Sequence, residues 1–169
     1  MPLKDQTRHL RLSSENYLSK MKAATFFTKE QQTRILEAVR EAERATSGEV
    51  RVHIETNCPE DVLDRAAWLF GKLGMNKTDL RNGVLFYLAV NDKKFAILGD
   101  AGINAVVPKG FWDEISLLLA ANFRKGLFTE GLCEGIIMAG QQLKAHFPYK
   151  GDDVNELSDE ISFDKPKEG

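Results

Sequence analysis

One run of residues, Val84-Leu85-Phe86-Tyr87-Leu88-Ala89-Val90, constrains this 169-residue chain more than any other segment. It is apolar almost throughout, whereas a strand with one wet face would alternate apolar and polar positions. A strand covered on both faces is therefore predicted over 84–90. Asn91-Asp92-Lys93-Lys94 supplies a polar turn and Phe95-Ala96-Ile97-Leu98 returns, which reads as a hairpin. Covering such a hairpin on both sides takes two layers of helix. With 43% hydrophobic residues the chain can bury a core of that kind within one domain.

The flanking segments supply the layers. Thr28-Lys29-Glu30-Gln31 has the form of a capping box, and a helix from Lys29 to about 45 follows with Ile35, Leu36, Val39 and Ala42 on its apolar stripe. Thr46-Ser47-Gly48 stops it. Residues 49–56 then alternate: Val50, Val52 and Ile54 face one way, Arg51, His53 and Glu55 the other. That pattern predicts a half-exposed strand near a sheet edge, with His53 facing solvent. A second helix opens around Asn57-Cys58-Pro59-Glu60 and ends at Gly74, so a crossover should join parallel strands at 49–56 and 84–90. Helices over about 111–123 and 129–147 complete the chain, with Trp68, Trp112, Phe111 and Phe123 at helical spacing expected in the core. The predicted fold is α/β: a small mixed sheet, parallel plus antiparallel, sandwiched between helices.

Parallel strands start at one edge of a sheet, and the antiparallel third strand finishes there. Three segments should meet at that edge: 47–49, 78–83 and 99–104. They carry Glu49, Asp79 and Asp100 as carboxylates, Arg81 as a cation, and Asn82, Asn104, Ser47 and Thr78 as neutral donors and acceptors. Oxygen-rich sets of this kind suit calcium or magnesium, so Asp79, Asp100 and Glu49 are the candidate metal ligands. Arg81, Asn82 and Asn104 are the candidate contacts to a small anionic ligand. The same residue types also turn and cap loops, and on sequence alone both readings stand.

Catalytic signatures are missing at their required spacings, and no catalytic residue is assigned. Cys58 and Arg65 are separated by six residues, one more than the cysteine-phosphatase loop has. Gly71-Lys72-Leu73-Gly74 lies at a helix end, where a phosphate loop would need a helix start. His9, His53 and His146 are too dispersed for two-metal histidine chemistry. A net charge of −2 provides no global attraction for nucleic acid. The ends differ in sign: residues 1–24 carry five basic against two acidic side chains, and 150–169 carry seven acidic against three basic. The expected layout is a basic mobile arm over 1–25, in which Leu10, Leu12, Tyr17 and Leu18 could dock as a short helix, a folded unit over 26–148, and an acidic mobile tail over 149–169. No apolar stretch reaches signal-peptide length or the roughly 18 residues of a membrane span, so a soluble cytoplasmic protein without membrane insertion is expected. Cys58 and Cys133 fit a thiol pair better than a disulfide framework.

Three segments, Thr46-Ser47-Gly48-Glu49-Val50, Arg81 through Leu88, and Phe95 through Ile103, together with Phe111-Trp112-Asp113 and Asn122 through Phe128, make the chain similar to the TPM domain family. That family is named for thylakoid lumen, photosystem repair and acetylcholine-receptor-modulating members. The resemblance spans about residues 26–148. It implies an α/β sandwich, and by association with plant members acid phosphatase activity and calcium binding. The functional expectation is a TPM-type domain that binds a divalent cation or small anionic ligand at its polar edge, with weak phosphatase activity. The alternative is a non-enzymatic interaction module whose arm, tail or alternating strand engages a protein partner.

Overall fold

The structure, a computed structural model, describes residues 21–149 and 160–164. In chain order the elements are α1 (Ala23–Phe26), α2 (Lys29–Glu43), β1 (Glu49–Glu55), α3 (Val62–Lys72), a 3-10 turn (Met75–Lys77), β2 (Gly83–Ala89), β3 (Lys94–Gly99), α4 (Ala101–Asn104), α5 (Phe111–Arg124), α6 (Phe128–His146) and β4 (Ser162–Phe163). The predicted capping box is formed: Thr28 accepts from the Gln31 amide, and the Gln31 side chain accepts from the Thr28 amide. At α3 the cap is Asp61, whose carboxylate accepts from Leu63 and Asp64, so the helix starts a few residues later than Cys58-Pro59 suggests.

The sheet has the order β3-β2-β1-β4. β1 and β2 are parallel in the register Glu49 to Gly83, and β3 runs antiparallel to β2. Every residue of β2 is buried, and the side chains divide by pleat. Val84, Phe86 and Leu88 enter the large core with α2, α5 and α6, while Leu85, Tyr87 and Ala89 enter a smaller one with α3. The double burial read from the apolar run is therefore correct. Helix α6 crosses α2 at very short range: a β-carbon added at Gly140 would sit 2.5 Å from the Ala42 α-carbon.

Three expectations are overturned. β1 lies near a sheet edge as expected, with only the two-residue β4 outside it, but it is not half-exposed: His53 and Glu55 are buried. Alternation of this kind points to solvent when polar side chains meet water, whereas here His53 and Glu55 lie against one another beneath α3, with Arg65 bonded to Glu55. Second, within the stretch expected to be a mobile acidic tail, Ser162 and Phe163 pair in parallel with β1, His53 opposite Ser162 and Ile54 opposite Phe163. Third, Trp68 is 54% exposed, although Trp112, Phe111 and Phe123 are buried as expected. At the other end α1 also belongs to the fold: Ala23 is buried and its amide donates to Thr56 Oγ1. The arm positions Leu10, Leu12, Tyr17 and Leu18 lie outside the described residues.

Leu85 is fully buried in the smaller core, so Leu85→Ala should cost about 2–5 kcal/mol in urea unfolding. At Gly140, alanine's better helix propensity is worth about 1 kcal/mol, but the added methyl meets backbone that cannot rotate away. Gly140→Ala is expected to lose about 1–3 kcal/mol net, and a gain in the same assay would show that α2 and α6 can part.

Candidate functional site

The three segments predicted to converge do so. Asn82 O accepts from the Glu49 amide at 3.4 Å, and Gly83 O accepts from the Asp100 amide at 2.9 Å. Across this edge lies a forked ion pair, with Arg81 Nε 2.6 Å from Asp100 Oδ2 and Nη2 2.8 Å from Oδ1. Asp100 Oδ1 also accepts from the Ala101 amide and so caps α4. Arg81 has a left-handed backbone, φ 51°, and its carbonyl accepts from both Gly102 and Ile103. Left-handed conformers of residues other than glycine are unfavourable and persist only where their surroundings impose them. Gly102 is part of that imposition: any β-carbon there would collide with the Leu80 and Arg81 carbonyls. The Arg81 side chain is 51% exposed and that of Asp100 only 7%.

Asn82 is buried, its Nδ2 donating to Ser47 Oγ at 3.3 Å and its amide to Thr78 Oγ1 at 3.3 Å. Asn104 Nδ2 donates to Gly99 O, and its Oδ1 accepts from Trp112 Nε1, each at 2.8 Å. Glu49 is buried at the start of β1, and Asp79 is exposed. Arg81, Asp100, Asn82 and Asn104 are thus brought to one edge, while Asp79 sits on its rim. Among the described residues no three His, Cys, Asp or Glu side chains are gathered as a metal-binding group. In chemistry the donors suit a hard cation; in placement both Asp100 oxygens are engaged by Arg81.

At the opposite edge a second polar cluster escaped sequence reading. Glu55 ends β1 and is 4% exposed. Arg65 of α3 donates to it twice, Nε to Oε1 at 2.7 Å and Nη2 to Oε2 at 2.5 Å, and Tyr87 Oη donates to Oε1 at 2.7 Å. His53 Nε2 lies 3.6 Å from Glu55 Oε2, and His53 Nδ1 is 2.6 Å from Ser162 Oγ. Burial alone would raise the Glu55 pKa. Hydrogen bonds from Arg65, with His53 and Tyr87 contributing, outweigh it and hold the carboxyl at about 2. Burial and the neighbouring Glu55 push the Tyr87 phenol well above its usual range. The available signal was Tyr87 itself, the one hydroxyl inside the apolar run, which needs a buried partner.

The profile of the TPM domain family matches residues 21–142. This chain belongs to that family. A solved relative, the BA42 protein of the psychrophilic bacterium Bizionia argentinensis, is 47% identical; the match covers 85% of this chain and 99% of BA42, with a TM-score of 0.77. The N-terminal domain of a P. gingivalis protein is 20% identical over 76% of this chain and 85% of its own, at a TM-score of 0.62. The N-terminal domain of the Corynebacterium glutamicum protein cg2496 is 14% identical over 89% and 96%, at a TM-score of 0.56. These last two share the fold alone. No match was found among curated protein sequences. Within the described part of this TPM domain no helix is long and apolar enough to cross a membrane.

Glu55 gives the TPM fold a defined acid response. Its folded pKa of about 2 lies below the ordinary value of 4.5, so its contribution is complete above pH 4.5 and is lost as the pH falls toward 2. For so buried a group that contribution is on the order of 2–3 kcal/mol. Glu55→Gln should flatten the dependence of stability on pH between about 4.5 and 2, read by urea unfolding across that range.

Proposed function

We propose that this TPM domain binds a divalent cation at the polar edge, together with a small anionic group such as a phosphate ester. The observation that carries the reading is the Arg81–Asp100 pair, set across three converging loops on a residue held in an unfavourable backbone conformation. As it stands the pair neutralises itself. When Asp100 turns to a cation, with Asp79 on the rim and Glu49 behind it, the Arg81 fork is released and matches the two oxygens of a phosphate. Asn82 and Asn104 hold the loops through Ser47, Gly99 and Trp112 and keep the opening local. Weak phosphatase turnover would follow from such a site, with the cation polarising the ester.

Calcium titration followed by amide NMR should shift residues within 47–49, 78–83 and 99–104 and leave the Glu55 end unmoved. Asp100→Asn should weaken calcium binding about ten-fold or more. Arg81→Lys keeps the charge but loses the fork, so it should impair phosphate-ester binding more than calcium binding. If the wild-type protein gives neither calcium-dependent shifts nor metal-stimulated turnover of an aryl phosphate, the edge is structural and this reading fails.

A second reading, an interaction module for a protein partner, is favoured by one observation: among the described residues the outer edge of β1 is paired by only two residues of β4.

A further inference from the structure

We infer that the outer edge of β1 is a docking site for an extended segment of a partner protein, and that residues 160–164 are its resident, self-supplied occupant. The contacts show what this edge selects. Ser162 Oγ meets His53 Nδ1 at 2.6 Å and donates to Val52 O at 3.4 Å. Phe163 and Ile161 pack on the large core from the other side of the pleat. The Asp164 amide donates to Ile54 O at 3.1 Å, while its carboxylate accepts from the Thr56 amide at 2.9 Å. The recognised pattern is an extended apolar–hydroxyl–aromatic–acid sequence parallel to β1, a strand-addition mode in which backbone bonds give affinity and alternate side chains give specificity.

The resident is short. β1 has seven residues and β4 pairs with two of them. Farther back along the same edge, the Val50 amide donates to the carboxylate of Glu43 at 3.3 Å, a side chain standing where a longer partner's carbonyl would fit. Carboxylates at Glu43 and Asp164 thus finish an edge that would otherwise be open to pairing. A second copy's 160–164 would make the same bonds as the tethered one and gain nothing, since tethering gives the resident an effective concentration on the order of millimolar. A foreign segment long enough to reach Val50 pairs with more of β1, its carbonyl taking the place of the Glu43 carboxylate at the Val50 amide, and can displace the resident. The tail is then an autoinhibitory strand, released by competition.

The test uses the full-length protein and a fluorescent peptide with the sequence of residues 158–166, read by anisotropy. The Phe163→Ala, Asp164→Ala double variant, with its resident weakened, should bind the peptide at least ten-fold more tightly than wild type. A peptide with positions 161–164 scrambled should lose that binding, and amide shifts should centre on residues 52–56. Equal affinities for the two proteins, or equal binding of the scrambled peptide, overturns the proposal. So does concentration-dependent dimerisation of wild type that the free peptide dissolves, since it would make a second copy the occupant. Should the double variant unfold, Ser162→Ala, which keeps the backbone pairing, must show the same ordering with a smaller gain.

Discussion

Parallel pairing of β1 with β2, with β2 sealed on both faces, governs the rest of this molecule. A strand sealed on both faces requires a helical layer above and below. A parallel neighbour requires a crossover long enough to supply one of them, and α3 is that crossover. The other layer comes from α2, α5 and α6, packed closely enough that Gly140 lies against the α2 backbone. Pairing direction also sorts the polar residues. Loops entering β1 and β2 collect at one end of the sheet with the exit of β3, and the residues that leave β1 collect at the other.

Much of this was legible. The run at 84–90 announced double burial, the capping box announced α2, and the order of elements implied the parallel pair. Because strand direction fixes which loops are neighbours, the meeting of Arg81 with Asp100 could be read before any coordinates. The Glu55 cluster could not. Arg51, His53 and Glu55 alternate with valines and isoleucine, and alternation carries the same signature whether polar side chains meet water or one another. Only the position of Arg65, ten residues on and near the start of α3, distinguishes the two. β4 was missed for a related reason: Ile161-Ser162-Phe163 has strand alternation, but it is brief and lies within a strongly acidic stretch whose composition argues for solvent.

The two ends of the sheet solve the same electrostatic problem differently. Both pair an arginine fork with a carboxylate. At Glu55 the acid is buried, Tyr87 adds a third donor, and the pair is walled in by α3, so exchange of partners would leave a charge stranded in a low-dielectric interior. At Asp100 the arginine is half in water, so its release strands no buried cation, and the buried carboxylate it leaves behind is what an incoming cation would meet. Ligand exchange is therefore affordable at one end and prohibitive at the other, which is why the proposed site is placed at the first.

The chain's two tryptophans sit one at each of these ends. Trp112 is buried and bonded through Asn104 to the loop that carries Asp100; Trp68 is exposed, its ring 4.6 Å beneath the Arg65 guanidinium that holds Glu55. Indole emission depends on polarity and on nearby charge, so the protein carries a built-in pair of optical reporters with different environments. A quencher in solution reaches Trp68 and spares Trp112. Emission from the protected indole therefore belongs to the loop end of the sheet, and changes there can be followed without attaching a dye.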